Sequence, residues 1–111
     1  MTQVALCPIS DITDGMSKGF ELANSRSVFV VGDDGAVFVY LNECPHLGVN
    51  LEWEEDKFLD SEGRLIECST HGALFEMDTG QCIVGPCQGE SLTAIPFEIV
   101  DGHITVDASR I

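Results

Sequence analysis

Hydrophobic positions along this chain recur in short runs with the period of strands rather than helices. "SVFVV" (27–31) and "AVFVYL" (36–41) are β-branched and aromatic on either side of "GDDG", which predicts a hairpin. "RLIE" (64–67) follows the turn signal "DSEG", and "LFEM" (74–77) and "QCIV" (81–84) flank "DTG". "SLTAIPFEIV" (91–100) meets "HITV" (103–106) across "DG", a second predicted hairpin. Pro96 stands inside the first of these runs and predicts an edge or a bulge, because its nitrogen cannot donate to a ladder. No stretch sustains a helical repeat. About one turn of helix is expected near "SDITDGM" (10–16), with Ser10 or Asp11 as its cap. Short strands with regular turn signals predict an all-β antiparallel sandwich or barrel, formed as one domain over residues 1–111.

At 111 residues and 44% hydrophobic, the chain has enough apolar surface for one modest core without a disulfide framework. No run approaches the roughly 20 apolar residues of a membrane span. "MTQVALCPISDITDG" has no basic segment leading into an apolar one, so no signal peptide is expected. The expected location is the cytoplasm, where thiols stay reduced and Cys more often mark metal or redox sites than bridges. Nineteen Asp and Glu against five Lys and Arg give a formal charge of −14. That field repels nucleic acid and anionic lipid, and it favours encounter with a basic protein surface.

Cys and His are unevenly placed. Residues 42–87 hold four of the five Cys and two of the three His, the pattern of a site-bearing insert on a β scaffold. Within it, "NECPHLGVN" (42–50) sets Cys44 and His46 two apart, and "IECSTHGALF" (66–75) sets Cys68 and His71 three apart. A Gly follows each His closely: Gly48 and Gly72 let the backbone approach a bulky ligand, and Pro45 stiffens the first loop. The repeated pairing predicts a metal site held by Cys44, His46, Cys68 and His71. Two thiolates with two imidazoles suit tetrahedral zinc or an iron–sulfur centre. A Cys2His2 zinc finger usually draws both Cys from one loop and both His from another, whereas here each loop supplies one of each.

These residues resemble the two cluster-binding loops of the Rieske [2Fe–2S] family, with "C-P-H-L-G" at 44–48 and "C-S-T-H-G-A-L-F" at 68–75. "GP" at 85–86 falls where that family has a third, proline-bearing loop over the cluster, and "DTG" and "DGHITV" extend the likeness over most of the chain. The resemblance implies three antiparallel sheets with a cluster-binding subdomain, 42–87, at one tip. It also implies one [2Fe–2S] cluster, with Cys44 and Cys68 on one iron and His46 and His71 on the outer iron.

Histidine ligation removes two negative charges relative to an all-Cys cluster. This raises the potential to roughly −150 to +300 mV, against about −400 mV for plant-type ferredoxins. High-potential members of the family have a Ser and a Tyr after the second His, donating to a sulfide and a ligand thiolate; the matching positions here are Ala73 and Phe75, which cannot donate. Those members also carry a disulfide between the loops, at positions matching Val49 and Thr70. All four departures predict a potential at the low end of the span and disfavour a respiratory bc-type role.

Once His46 and His71 are used, only His103 remains, too few for the two-His, one-carboxylate iron of an oxygenase. "GDDG" also lacks the dinucleotide fingerprint. The chain is therefore expected to be an electron carrier and not an enzyme. By resemblance it is a monomeric, Rieske-type ferredoxin between a flavin-containing NAD(P)H reductase and a terminal aromatic-ring oxygenase of aromatic hydrocarbon catabolism. Two alternatives stand beside this: the small Rieske-like subunit of an assimilatory nitrite reductase, and a zinc-stabilised binding module. The acid-rich 50–67 segment reads as a solvated loop or a docking face, and Trp53 as a packing residue or an interface anchor. Cys7, Cys82 and Cys87 have no ligand role, Cys82 and Cys87 are expected to stay reduced, and His103 is expected at a surface turn.

Overall fold

The structure, a computed structural model, describes residues 3–22, 27–33, 35–43, 51, 58–60, 63–68, 72–85 and 89–108. Among the described residues, nine strands form three three-stranded antiparallel sheets. β1 (Gln3–Pro8), β9 (His103–Asp107) and β8 (Phe97–Val100) make the terminal sheet, with β9 in the middle. β2 (Ser17–Glu21), β3 (Ser27–Asp33) and β4 (Ala36–Leu41) make the second in chain order. β5 (Leu65–Glu67), β6 (Leu74–Glu76) and β7 (Cys82–Val84) make the third. The expected all-β class is thus observed, and among the described residues no helix is long and apolar enough to cross a membrane.

β3 explains how the sheets are layered. Its residues from Val28 to Gly32 are buried without a break, as expected of a strand covered on both faces. Side chains alternate across a sheet, and here the alternation divides two cores. Phe29 and Val31 pack with Leu51, Phe58, Ile66, Cys68 and Phe75. Val28 and Val30 pack with Cys7, Ile104 and Val106 of the terminal sheet. β4 repeats the division, Tyr40 joining the first core and Val39 and Leu41 the second. The β2–β3–β4 sheet is therefore the middle layer.

The elements depart from the sequence expectation in four places. β1 and β2 were not predicted. Residues 91–96 are not a strand: Ser91 and Ala94 make isolated bridges to Gln81 and Tyr40, and β8 starts only after Pro96. Pro96 lies just before β8 and in no strand, so it occupies neither the edge-strand nor the bulge position expected of it. The helical turn is a single 3-10 turn at Ile9–Asp11, and it follows Pro8 with no side-chain cap, so neither Ser10 nor Asp11 caps it. Both "DG"-type hairpins form as expected. β8 turns into β9 through Asp101 and Gly102, both at positive φ (51° and 78°), the twist-matched geometry for a two-residue hairpin.

Candidate metal centre

Cys68 is carried to its position by the segment before it. Asp60 closes the "DSEG" turn, its Oδ1 accepting from the backbone N–H of Arg64 at 3.0 Å and of Leu65 at 3.3 Å. The chain then enters β5, flanked on one side by β6 and on the other by a bridge from Leu59 to Ile66. Strand alternation puts Ile66 and Cys68 on the inward face, and both are fully buried in the first core.

Cys68 is tied through its backbone to Gly72 and Ala73. The Cys68 N–H donates to the Ala73 carbonyl, and the Gly72 N–H donates back to the Cys68 carbonyl, both at 2.9 Å. Gly72 sits at φ +65°, a left-handed conformation that favours glycine at that closing position. Ala73 and Phe75 return along β6 on the same inward face as Cys68 and belong to the same core. Gly85, just after β7, then lies directly against Ala73, the residue after Gly72.

The other end of the site is framed by Asn42. It is 3% exposed, its backbone N–H extends the β3–β4 ladder to the Ser27 carbonyl, and its Oδ1 accepts from the Leu51 N–H at 2.9 Å. Leu51 is fully buried in the core that holds Cys68. Sequence reasoning missed Asn42, whose position just before the Cys44 motif was its only signal.

Of the four predicted ligands, Cys68 lies among the described residues; Cys44, His46 and His71 lie outside them, as do Cys87, Trp53 and five of the seven acids of the acid-rich segment. Cys82 is buried in the same core as Cys68, its thiol 3.3 Å from the Val84 carbonyl. His103 is exposed at the start of β9, its Nδ1 3.0 Å from the Asp101 carbonyl, as a surface turn position requires. Among the described residues, no cluster of three or more His, Cys, Asp or Glu forms a second place for a metal.

A profile of the Rieske [2Fe-2S] domain matches residues 2–100. The chain belongs to the Rieske [2Fe–2S] family. Its cofactor is accordingly one [2Fe–2S] cluster, and the candidate donors read from the sequence, two thiols and two imidazoles, suit it in kind; of these Cys68 is shielded from water at a strand end. The iron–sulfur subunit of the cytochrome b6-f complex of Chlorobaculum tepidum is 32% identical over 106 residues, which are 96% of this chain and 54% of that one. The chain thus spans about half the length of that relative. The ferredoxin component of the p-cumate 2,3-dioxygenase system of Pseudomonas putida is 30% identical over 104 residues, 94% of this chain and 84% of the relative. Among solved structures, the ferredoxin of Sphingomonas yanoikuyae B1 superposes with a TM-score of 0.76 at 29% identity, covering 96% of this Rieske chain and 98% of that one.

Proposed function

We propose that this Rieske protein is a low-potential ferredoxin, carrying single electrons from a flavin-containing reductase to a terminal aromatic-ring oxygenase. In this reading residues 42–87 form the cluster-binding subdomain of one domain. Cys44 and Cys68 hold the inner iron, and His46 and His71 hold the outer one. When bound, the cluster supplies one-electron transfer. The chain's residues hold it, exclude water on the Cys68 side and tune it; the carrier works as a cytoplasmic monomer.

One observation carries the low-potential reading. Ala73 and Phe75 are buried in the core that holds Cys68, and neither side chain can donate a hydrogen bond. Donors beside the sulfurs stabilise the added electron's charge, so their absence keeps the potential low. The formal charge of −14 supports a partner with a basic docking surface. The names of the Pseudomonas and Sphingomonas relatives favour a ferredoxin over a subunit of a cytochrome complex.

Freshly purified protein is expected to contain equal iron and acid-labile sulfide, and after reduction to give the resonance signal of a nitrogen-ligated iron pair. Its midpoint is expected near roughly −150 mV, the low end of the Rieske span. Serine at Cys44 or Cys68, or alanine at His46 or His71, is expected to abolish the signal. A midpoint well above zero, or zinc without sulfide, overturns the reading. Restored turnover of a reductase–oxygenase pair separates it from a fixed subunit of a nitrite reductase.

A further inference from the structure

Asn42 is a polar residue in a place where the surrounding positions are apolar. It follows three buried residues of β4, Val39, Tyr40 and Leu41, and is itself 3% exposed. A leucine there would bury as well without the cost of removing an amide from water. The amide has a specific task. Its backbone is fixed to β3 through the Ser27 carbonyl, the neighbouring Leu41 N–H is bonded to the Thr93 carbonyl, and its Oδ1 reaches across nine positions to the Leu51 N–H. Leu51 is in turn locked by its buried side chain into the core shared with Cys68. One side-chain oxygen therefore ties together both ends of segment 43–50, and it ties them to the strand framework on one side and to the Cys68 core on the other.

We propose that Asn42 is a positioning residue: by holding the Leu51 N–H it fixes both ends of the segment that carries Cys44 and His46, and so sets how firmly and at what potential the cluster is held. This rests on the ligand assignment under "Proposed function". Removing the acceptor leaves a buried N–H unsatisfied at the far end of the segment, so that end must shift towards water or another partner. Groups that orient metal ligands typically change metal affinity by about 10–100-fold when removed.

The test compares purified holoprotein of wild type, Asn42→Leu and Asn42→Asp. Leucine keeps the volume and loses the acceptor; aspartate keeps an acceptor oxygen. Three quantities are read: the rate of iron loss to a chelator, the midpoint potential, and the resonance signal of the reduced pair. Asn42→Leu is expected to lose iron roughly tenfold faster, with a shifted midpoint and altered signal. Asn42→Asp is expected to retain the wild-type signal and release iron more slowly than Asn42→Leu. The proposal is overturned if Asn42→Leu merely melts at lower temperature with rate, potential and signal unchanged, or if both variants behave alike. Wild type without a [2Fe–2S] cluster would overturn the ligand assignment, and the positioning role with it; an intact wild-type cluster and an unaffected Asn42→Leu overturn the positioning role alone.

Discussion

Gly85 lies in direct contact with Ala73: a β-carbon on Gly85 would fall 2.9 Å from the Ala73 Cα and 3.0 Å from its Cβ. Ala73 and Gly85, which continue the β6–β7 pairing beyond Leu74 and Val84, thus leave no room for a side chain on Gly85. Gly85 also has φ +108°, which side chains rarely adopt. Gly85→Ala is therefore expected to cost about 2–3 kcal/mol, part strain and part collision with backbone that cannot yield. Gly89→Ala is the control, because Gly89 has φ +93° but nothing within 4 Å of an added β-carbon. Denaturant unfolding of both variants separates the two contributions. Equal losses would show that the Ala73 contact adds nothing.

Ala73 and Phe75 face the core that holds Cys68, so donors placed there point inward and not to solvent. Ala73→Ser and Phe75→Tyr are each expected to raise the midpoint. One net hydrogen bond of about 1 kcal/mol, if formed only with the reduced state, corresponds to roughly 40 mV for one electron. The double variant is expected to approach the sum. Protein-film voltammetry of the four proteins measures this, and unchanged midpoints in cluster-loaded variants would disprove tuning at these positions.

Cys7 is buried in β1, at the bulge between Ala5 and Cys7 where β1 pairs with β9. Burial first, and the Asp11 carboxylate second, push its thiol pKa up, with Lys18 pulling slightly the other way. The thiolate is the reactive form, so Cys7 is doubly protected. With iodoacetamide at pH 8, Cys7 is expected to label at least about tenfold more slowly in the folded protein than in denaturant. Peptide mapping by mass spectrometry reads this directly. Rapid native labelling would mean that the β1–β9 pairing opens readily.

Legibility of the fold followed the strength of local pattern. β3 and β4 announce themselves because Val28 to Val31 and Val37 to Leu41 are β-branched, aromatic or leucine on both sides of a turn, and the Asp101–Gly102 hairpin is written in its two turn residues. β2, "SKGFE", has one large apolar side chain, and none of its residues is fully buried; it is a strand because β3 offers it a ladder. β1 ends in proline and carries a bulge, so its alternation is broken. Residues 91–96 look like a strand by composition, yet Pro96 and the bridges at Ser91 and Ala94 leave them irregular. Cys68 stands out in the sequence through its spacing to His71 and Gly72, but its burial in the core has no local signal. The Asn42–Leu51 bond was not, because nothing local in the sequence couples a strand end to an N–H nine positions on.

Tyr40 joins the middle sheet to the site-bearing one: its hydroxyl donates to the Met77 carbonyl at 2.5 Å, and its ring lies 5.9 Å from that of Phe29, itself stacked on Phe58 at 4.4 Å. Burial, and secondarily the Asp78 carboxylate, push the phenol from an ordinary 10.0 up to about 12. The folded state thus holds this proton more tightly than the unfolded chain does. The sign follows: the stabilisation is fully present below pH 10 and is lost as pH rises through about 12, since only the unfolded chain ionises in between. The loss amounts to at most about 2–3 kcal/mol. Tyr40→Phe cannot ionise, and at neutral pH it is about 1 kcal/mol less stable because the Met77 carbonyl loses its donor. Wild type and Tyr40→Phe are therefore expected to converge as pH climbs from 9 to about 11 and then to cross, Tyr40→Phe being the more stable at pH 12. Denaturant midpoints measured in parallel test this, cluster loss being common to both proteins, and a constant difference across that range would show that Tyr40 ionises alike folded and unfolded.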